Sequence, residues 1–396
     1  MDTTFTPTNT EETREVVAWA VANANPLEVI GQGSKRELGR PVQAAHCLSL
    51  SKLSGVVAYE PEELVLTAYA GTPIAEIEAL VAQNGQELSF EPMDYGPLLR
   101  REPGQGTLGG VLATNLSGPR RLKAGAARDH ILGMEAVSGR GEIFKSGGKV
   151  VKNVTGYDLP RVLCNSWGTL AVATTVTLKV NPRSETSASY VLYGLSDEMA
   201  VEAMCTAMGS AAEVSGAAHL PAGVGDKEAK TILRLEGFGK SVDYRYKSLA
   251  KVLERFGQGA RLKVDASTKT WREIRDCTPL AGGHDTIWRV SVAPADGAKF
   301  VAALKPHFDF QCLYDWSGGL VWIKPVDGEQ HERDLREVLS ACGGGHAMLV
   351  RALSPVRAAL DVFQPQPLPL QELSRRVKQQ FDPQGILNPG RMVAGR

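Results

Sequence analysis

Three short segments concentrate residue types that hold ligands. The first, Gly31-Gln32-Gly33-Ser34-Lys35, directly follows the apolar run Leu27 to Ile30. Glycines let consecutive backbone N–H groups point into one concavity, the arrangement that holds phosphate oxygens. The same five residues also suit a tight β-turn. The second is "GQGTLGGVLATNLSGPRR", residues 104 to 121. Here Gly106, Gly109 and Gly110 permit close approach of a flat or anionic ligand, and Thr107, Thr114, Asn115 and Ser117 supply polar contacts. The third is "GGKVVKNVTGYDL", Gly147 to Leu159, where Lys149, Lys152, Asn153, Thr155, Tyr157 and Asp158 crowd together more densely than in an ordinary surface loop.

Gly104, Gly106 and Gly109 also match G-x-G-x-x-G, with Asp129 following at the distance the dinucleotide fingerprint asks. That fingerprint needs a strand before the first glycine, a long helix after the last, and a second strand ending at the acid. "DYGPLLRREP" before it is polar and broken by Pro97 and Pro103, and "RRLKAGAAR" cannot be a buried parallel strand, so the reading is rejected. Gly239-Lys240-Ser241 ends like a phosphate-binding loop, but Arg234 stands where the first glycine is required. "CNSWG" ends like a nucleophile elbow, yet begins with Cys164 and runs into a strand. The six cysteines include no C-x-x-C and the seven histidines no close pair, so no metal or iron–sulfur site is expected and the thiols read as reduced.

The elements that must position these segments read in two textures. Up to about residue 184, short strands alternate with Gly/Pro punctuation. "GVVAY" and "LVLTAYA" are strands, the latter leading through Thr72 as cap and Pro73 as first helical residue into a helix carrying Ile74, Ile77, Leu80 and Val81. "HILGMEAVS" and "GEIFKS" form a hairpin around Gly139-Arg140-Gly141, and Thr169 to Val180 is a long β-branched strand. From about Ser187 a strand-helix-strand-strand-helix pattern occurs twice, ending in "HAMLVRAL", which is the ferredoxin-like plan in duplicate. A proline-rich connector, Val362 to Leu370, then precedes a helix with Leu370, Leu373, Val377 and Phe381 on one face, stopped at Asp382-Pro383-Gln384-Gly385.

At 396 residues, two or three domains are expected, and 43% hydrophobic with 22% charged residues is ordinary for a globular protein. Lys+Arg and Asp+Glu balance at 44 each, so no basic field argues for nucleic acid or an anionic membrane surface. The N-terminus lacks a charged-then-apolar leader and no stretch is long enough to span a bilayer, which reads as a cytoplasmic protein.

Together with "SWGTLAVATTVTLKVNP", the three segments resemble the FAD-binding domain of the vanillyl-alcohol oxidase/p-cresol methylhydroxylase flavoprotein family. "TWREIRD", "YDWSGGLVW" and "FDPQGILNPGR" make the chain most similar, within that family, to the FAD-binding E subunits of bacterial glycolate oxidases. The resemblance implies an α+β fold, with a two-part PCMH-type FAD-binding domain over residues 1–184 and 362–396 around an antiparallel-sheet cap domain of ferredoxin-like repeats over 185–361. It implies that Gly31, Gln32, Gly33, Ser34 and Lys35 cradle the FAD pyrophosphate. Gly106, Thr107, Gly109 and Gly110, with Thr114, Asn115, Ser117 and Gly118, would line the cofactor along a short helix. Lys152, Thr155, Gly156 and Asp158, with Gly168, Thr169 and Leu170, would fall in adjoining cofactor loops. Asn388, Pro389 and Gly390 would return from the C-terminus.

Relatives with covalent flavin carry His in the first glycine loop or Cys further on; Ser34 and Lys35 here imply non-covalent FAD. Relatives that oxidise D-2-hydroxy acids carry H-x-G-D-G-N and metal-binding histidines, whereas this chain has only Gly343-Gly344-Gly345-His346. The expected role is therefore a FAD subunit that works with a catalytic FAD subunit and an iron–sulfur subunit in oxidation of glycolate to glyoxylate, at the inner membrane only through those partners. No catalytic residue is assigned. The alternatives are an independent D-2-hydroxy-acid dehydrogenase, with Trp316, Trp322, His346 or Arg351 shaping a pocket, and a scaffold without functional flavin.

Overall fold

The β-branched run after Thr169 forms the strand Ala171–Lys179, the centre of a five-stranded antiparallel sheet. In the computed structural model, which describes residues 3–149 and 156–395, that sheet runs Val56–Glu60, Val65–Tyr69, Ala171–Lys179, Ile131–Ser138, Ile143–Gly147. Leu66, Ala68, Met134, Ala136, Val176 and Leu178 are buried. The last two strands form the hairpin expected around Gly139 to Gly141. A separate parallel sheet orders Thr3–Phe5, His46–Ser49 and Leu27–Ile30. The helix Ile74–Ala82 begins one residue later than expected. Pro73 is its N-cap, and the Thr72 hydroxyl instead pairs with both backbone groups of Gly55, at 3.0 and 3.1 Å.

These elements belong to one compact unit, residues 1–117, 125–183 and 365–396. The other unit comprises residues 184–364 and the short segment 118–124. Its antiparallel sheet has eight strands, in the order Ala260–Leu262, Thr186–Tyr193, Lys230–Gly237, Gly216–Leu220, Phe310–Asp315, Leu320–Pro325, Ile287–Ser291, His346–Arg351. The two repeats run in mirror order outward from the pairing of His219 with Tyr314. Strand alternation divides the side chains. Tyr190, Leu233, Trp288, Val290 and Val321 pack with Met204, Leu249, Phe300 and Leu335 of the covering helices in one core. Ser189, Arg234, Arg289 and Trp322 occupy the alternate positions and turn to the opposite face.

The duplicated pattern predicted from the sequence is present, with two additions. The first repeat closes with the edge strand Ala260–Leu262, and the helix Val264–Arg275 follows it. The last helix, Leu368–Phe381, carries the predicted apolar stripe, but none of its residues is buried, and Leu368, Leu370 and Leu373 are exposed. No helix among the described residues is long and apolar enough to cross a membrane.

Candidate functional site

The strand Leu27–Ile30 delivers its chain directly into the first glycine loop. Gly33 turns it with φ of +79°, a conformation that favours glycine, and its carbonyl accepts the Arg36 N–H at 3.2 Å. Arg36 is tied back to the buried Glu28 of the strand through Nε, at 3.0 Å, and through its second guanidinium nitrogen. The loop is thus a tight turn, one of the two things the sequence allowed, and its residues line a cleft.

The second glycine segment lies against the first. Thr107 caps the helix Leu108–Thr114, its hydroxyl accepting the Gly110 N–H at 3.3 Å, and that hydroxyl abuts Gly31 so closely that a Cβ there would overlap it. Between the loops stands the Lys35 ammonium. A Cβ built on Gly110 or Gly106 would lie 3.3 or 3.9 Å from its Nζ. Burial lowers the Lys35 pKa to about 8, Asp94 partly opposing the fall. The ammonium has no hydrogen-bond partner among the described residues.

The C-terminal segment closes this cleft. Leu27 N donates to Ile386 O at 2.8 Å, and Asn388 N donates to Leu27 O at 3.0 Å. The buried Asn388 side chain accepts the Val29 N–H at 2.8 Å and donates to Trp167 O at 2.9 Å. Arg391 donates to the carbonyls of Lys35, at 2.8 Å, and Arg36, at 3.3 Å. Asp382, also buried, accepts from the N–H groups of Ile386 and Leu387 and from Lys378 Nζ, fixing the turn that starts the return. Gly31 to Arg36, Thr107, Gly110, Ala113, Thr114, Trp167, Asn388 and Arg391 line one cleft. Ala113, Trp167 and Arg391 were not singled out in the sequence. The Asn-Pro-Gly-Arg run pointed at Arg391, but only the return of the tail shows what its guanidinium grips.

The other predicted site residues have different placements. Gly109 sits flat on Ala70, its N–H donating to Ala70 O at 2.7 Å, so it serves helix-to-strand contact. Thr114 donates its hydroxyl to Gly110 O at 2.6 Å. Asn115 ends the helix in the left-handed conformation, its Oδ1 accepting Arg128 N at 3.0 Å. Gly168, with φ of +69°, packs beside the Asn388 amide; Thr169 O receives Lys378 Nζ at 2.6 Å; Leu170 is buried. Ser117 is half-buried, Gly390 turns the tail with φ of +75°, Gly156 is exposed, and Asp158 caps the helix Leu159–Leu163. Gly118 goes with the other unit, where its carbonyl accepts Trp316 Nε1 at 3.0 Å. Lys152 and Thr155 lie outside the described residues. Arg351 is held by the carbonyls of Asp285, Ala281 and Gly282, and His346 is exposed at the start of a strand. Burial pushes the thiols of Cys47 to about 11 and of Cys164 and Cys312 to about 12, so these stay protonated at neutral pH. No group of His, Cys, Asp or Glu among the described residues is placed to hold a metal ion.

Residues 1–147 match the family described as FAD binding domain. The fold is that of p-cresol methylhydroxylase, with a TM-score of 0.70 at 15% identity, over 99% of this chain and 88% of that one. These matches define a protein with an FAD-binding domain in the p-cresol methylhydroxylase fold. The chain is 34% identical to glycolate oxidase subunit GlcE of Escherichia coli over 392 residues, 96% of each chain. It is 27% identical to glycolate oxidase subunit GlcD of Bacillus subtilis over 241 residues, 60% of this chain and 48% of that one. The chain belongs to the GlcE family. The cleft fits the cofactor this family implies: glycine amides unobstructed by Cβ atoms and an ammonium without a hydrogen-bond partner match the needs of a pyrophosphate.

Proposed function

We propose that this chain is the FAD-binding E-type subunit of a complex that oxidises glycolate to glyoxylate, working beside a catalytic FAD subunit and an iron–sulfur subunit. Its relationship to GlcE along 96% of both chains carries this reading. Residues 1–184, apart from the segment 118–124, form the FAD-binding domain with 362–396, and 185–361 form the cap. Gly31 to Lys35 with Gly106, Thr107 and Gly110 hold the pyrophosphate, and Gly168 to Leu170 with Asn388 and Gly390 border the rest of the cofactor. Bound FAD supplies two-electron redox chemistry. Lys35 contributes positive charge at the diphosphate, Asn388 holds the strand end that presents the glycine loop, and Arg391 grips that loop's carbonyls at Lys35 and Arg36. The FAD is held without a covalent bond, since Ser34 and Lys35 occupy the loop position from which a histidyl link would be made.

The chain is cytoplasmic and reaches the inner membrane only through its partners. The even balance of 44 basic and 44 acidic residues sets up no global repulsion against such association. The test is glycolate-dependent dye reduction by the purified, yellow chain alone and after addition of the catalytic flavin and iron–sulfur subunits. Near-background rates alone and a large rise on reconstitution are expected. Equal rates would replace this reading with an independent D-2-hydroxy-acid dehydrogenase, and a colourless chain would leave only a scaffold. Acid precipitation should release the colour into the supernatant; colour remaining in the pellet would mean a covalent flavin.

A further inference from the structure

On the sheet face opposite the apolar core of the second unit, part of which helix Val264–Arg275 covers through Trp271, three arginines from strands and the 118–124 segment are arranged in two ways. Arg120 and Arg234 share the Glu236 carboxylate, Arg120 through two nitrogens at 2.9 and 2.5 Å and Arg234 through Nε at 3.3 Å. Arg289 is different. Its guanidinium lies 4.9 Å from the Trp316 ring centroid and 6.0 Å from that of Trp322, its direct cross-strand neighbour. It has no hydrogen-bond or ion-pair partner among the described residues, although it is half-buried.

Stacking on indoles satisfies the faces of a guanidinium and leaves its rim of N–H donors unused. The two tryptophans also exclude water from those faces, which strengthens whatever anion meets the rim. The protein holds Trp316 in place at a cost. Trp316 and Ser317 both have left-handed backbones, with φ of 51° and 60°, a conformation unfavourable for residues with a Cβ. Three bonds or contacts maintain it: Asp315 Oδ1 accepts Trp316 N at 2.7 Å, Gly118 O accepts the indole Nε1 at 3.0 Å, and the Arg121 guanidinium lies 5.8 Å from the ring.

We propose that Arg289, seated between Trp316 and Trp322, is the binding site in this chain for the carboxylate of a small 2-hydroxy or 2-oxo acid. The planar fork of the guanidinium matches the two oxygens of a carboxylate. This rests on the reading of the chain as part of a glycolate-oxidising complex, because that reading supplies the acid class. The observation itself, an arginine on two indoles with no acceptor of its own, is independent of it.

The FAD-loaded chain is titrated separately with glycolate, glyoxylate, oxalate and, as an anion control, inorganic phosphate. Binding is followed by tryptophan fluorescence and calorimetry. Saturable binding of the carboxylates below roughly 10 mM is expected, the range for one charge-assisted fork. Arg289→Gln should weaken it tenfold or more, and Arg289→Lys should restore only part. Flavin content and far-ultraviolet circular dichroism of both variants should equal those of the parent. Unchanged affinity in the folded Gln variant, equal affinity in the Lys variant, or phosphate binding as tightly as the carboxylates overturns the proposal. If Arg289→Gln does not fold, the Lys variant alone decides. Arg289-dependent binding without glycolate turnover in the reconstituted complex would refute the complex reading alone; turnover with Arg289-independent binding would refute this site alone.

Discussion

Asn388 stands in for a strand partner of Val29. Its side-chain oxygen accepts the Val29 N–H at 2.8 Å across 359 residues of sequence, and its amide nitrogen reaches Trp167 O at 2.9 Å. One buried side chain therefore joins the first glycine loop, the segment before the central strand and the C-terminal tail.

Replacing Asn388 with Ala should strand the Val29 N–H and the Trp167 carbonyl. Each unmade buried bond costs about 1–3 kcal/mol, so a local destabilisation of roughly 3 kcal/mol is expected. Hydrogen exchange reads it directly: the Val29 amide should lose protection and the chain should lose FAD on gel filtration. Parent-like protection at Val29 would show that the side chain is dispensable.

Gly33→Asp should remove flavin without unfolding the chain. Asp tolerates the left-handed φ of +79° at this position better than most residues, so the backbone survives. Its charge would face the pyrophosphate, and a repulsion of a few kcal/mol lowers affinity about a hundredfold or more. The flavin-to-protein absorbance ratio measures this, and a fully yellow variant would reassign the loop.

FAD affinity should fall as pH rises through about 8, the pKa to which burial lowers Lys35 in the empty cleft. Below that value the ammonium is already charged and binding takes up no proton. Above it, binding the diphosphate must recharge Lys35, so affinity drops by up to about tenfold per pH unit. Lys35→Met should bind weakly with no such slope. Because Lys35 is lowered from its unfolded value, its cost to stability is full below pH 8 and relieved above, which is opposite in sign to the binding effect. A pH-independent parent affinity between 7 and 10 would contradict the placement of Lys35.

In the second unit, burial alone would raise the Glu236 carboxyl, but Arg234 and Arg120 overcome it and hold it at about 2. The contribution, about 3 kcal/mol, is present above the usual 4.5 and lost as pH falls from 4.5 to 2. Glu236→Gln should destabilise the unit by roughly 3–5 kcal/mol at neutral pH, since two guanidiniums lose their shared anion. It should also flatten the acid limb of the stability curve; an unchanged limb would move the acid sensitivity elsewhere.

The glycine loops, the duplicated repeat and the returning tail were legible in the sequence because glycine runs, alternation and turn residues report local backbone demands. What escaped depends on neighbours far along the chain. Ala260–Leu262 is largely exposed and shows no alternation, so nothing local marks it as a strand. Arg289 sits at the polar position of Ile-Trp-Arg-Val-Ser and reads as a solvent-facing charge until Trp316 and Trp322 are placed beside it. The stripe of Leu370 and Leu373 signals helix but not what, if anything, covers it. Gly118 reads as part of a cofactor-lining run, because sequence adjacency hides that segment 118–124 goes with the other unit, with Arg120 committed to Glu236.

The tie between Val29 and Asn388 also fixes an order of events in time. The glycine loop leaves the ribosome first, and the asparagine that locks it is made 359 positions later. At about 5–20 residues per second, the interval is roughly 20–70 s. Throughout it, the strand Leu27–Ile30 has an edge with no tail to pair with, and the cofactor has no finished place to bind. Translation speed and the supply of FAD once Asn388 has emerged should therefore govern the yield of yellow protein in the cell.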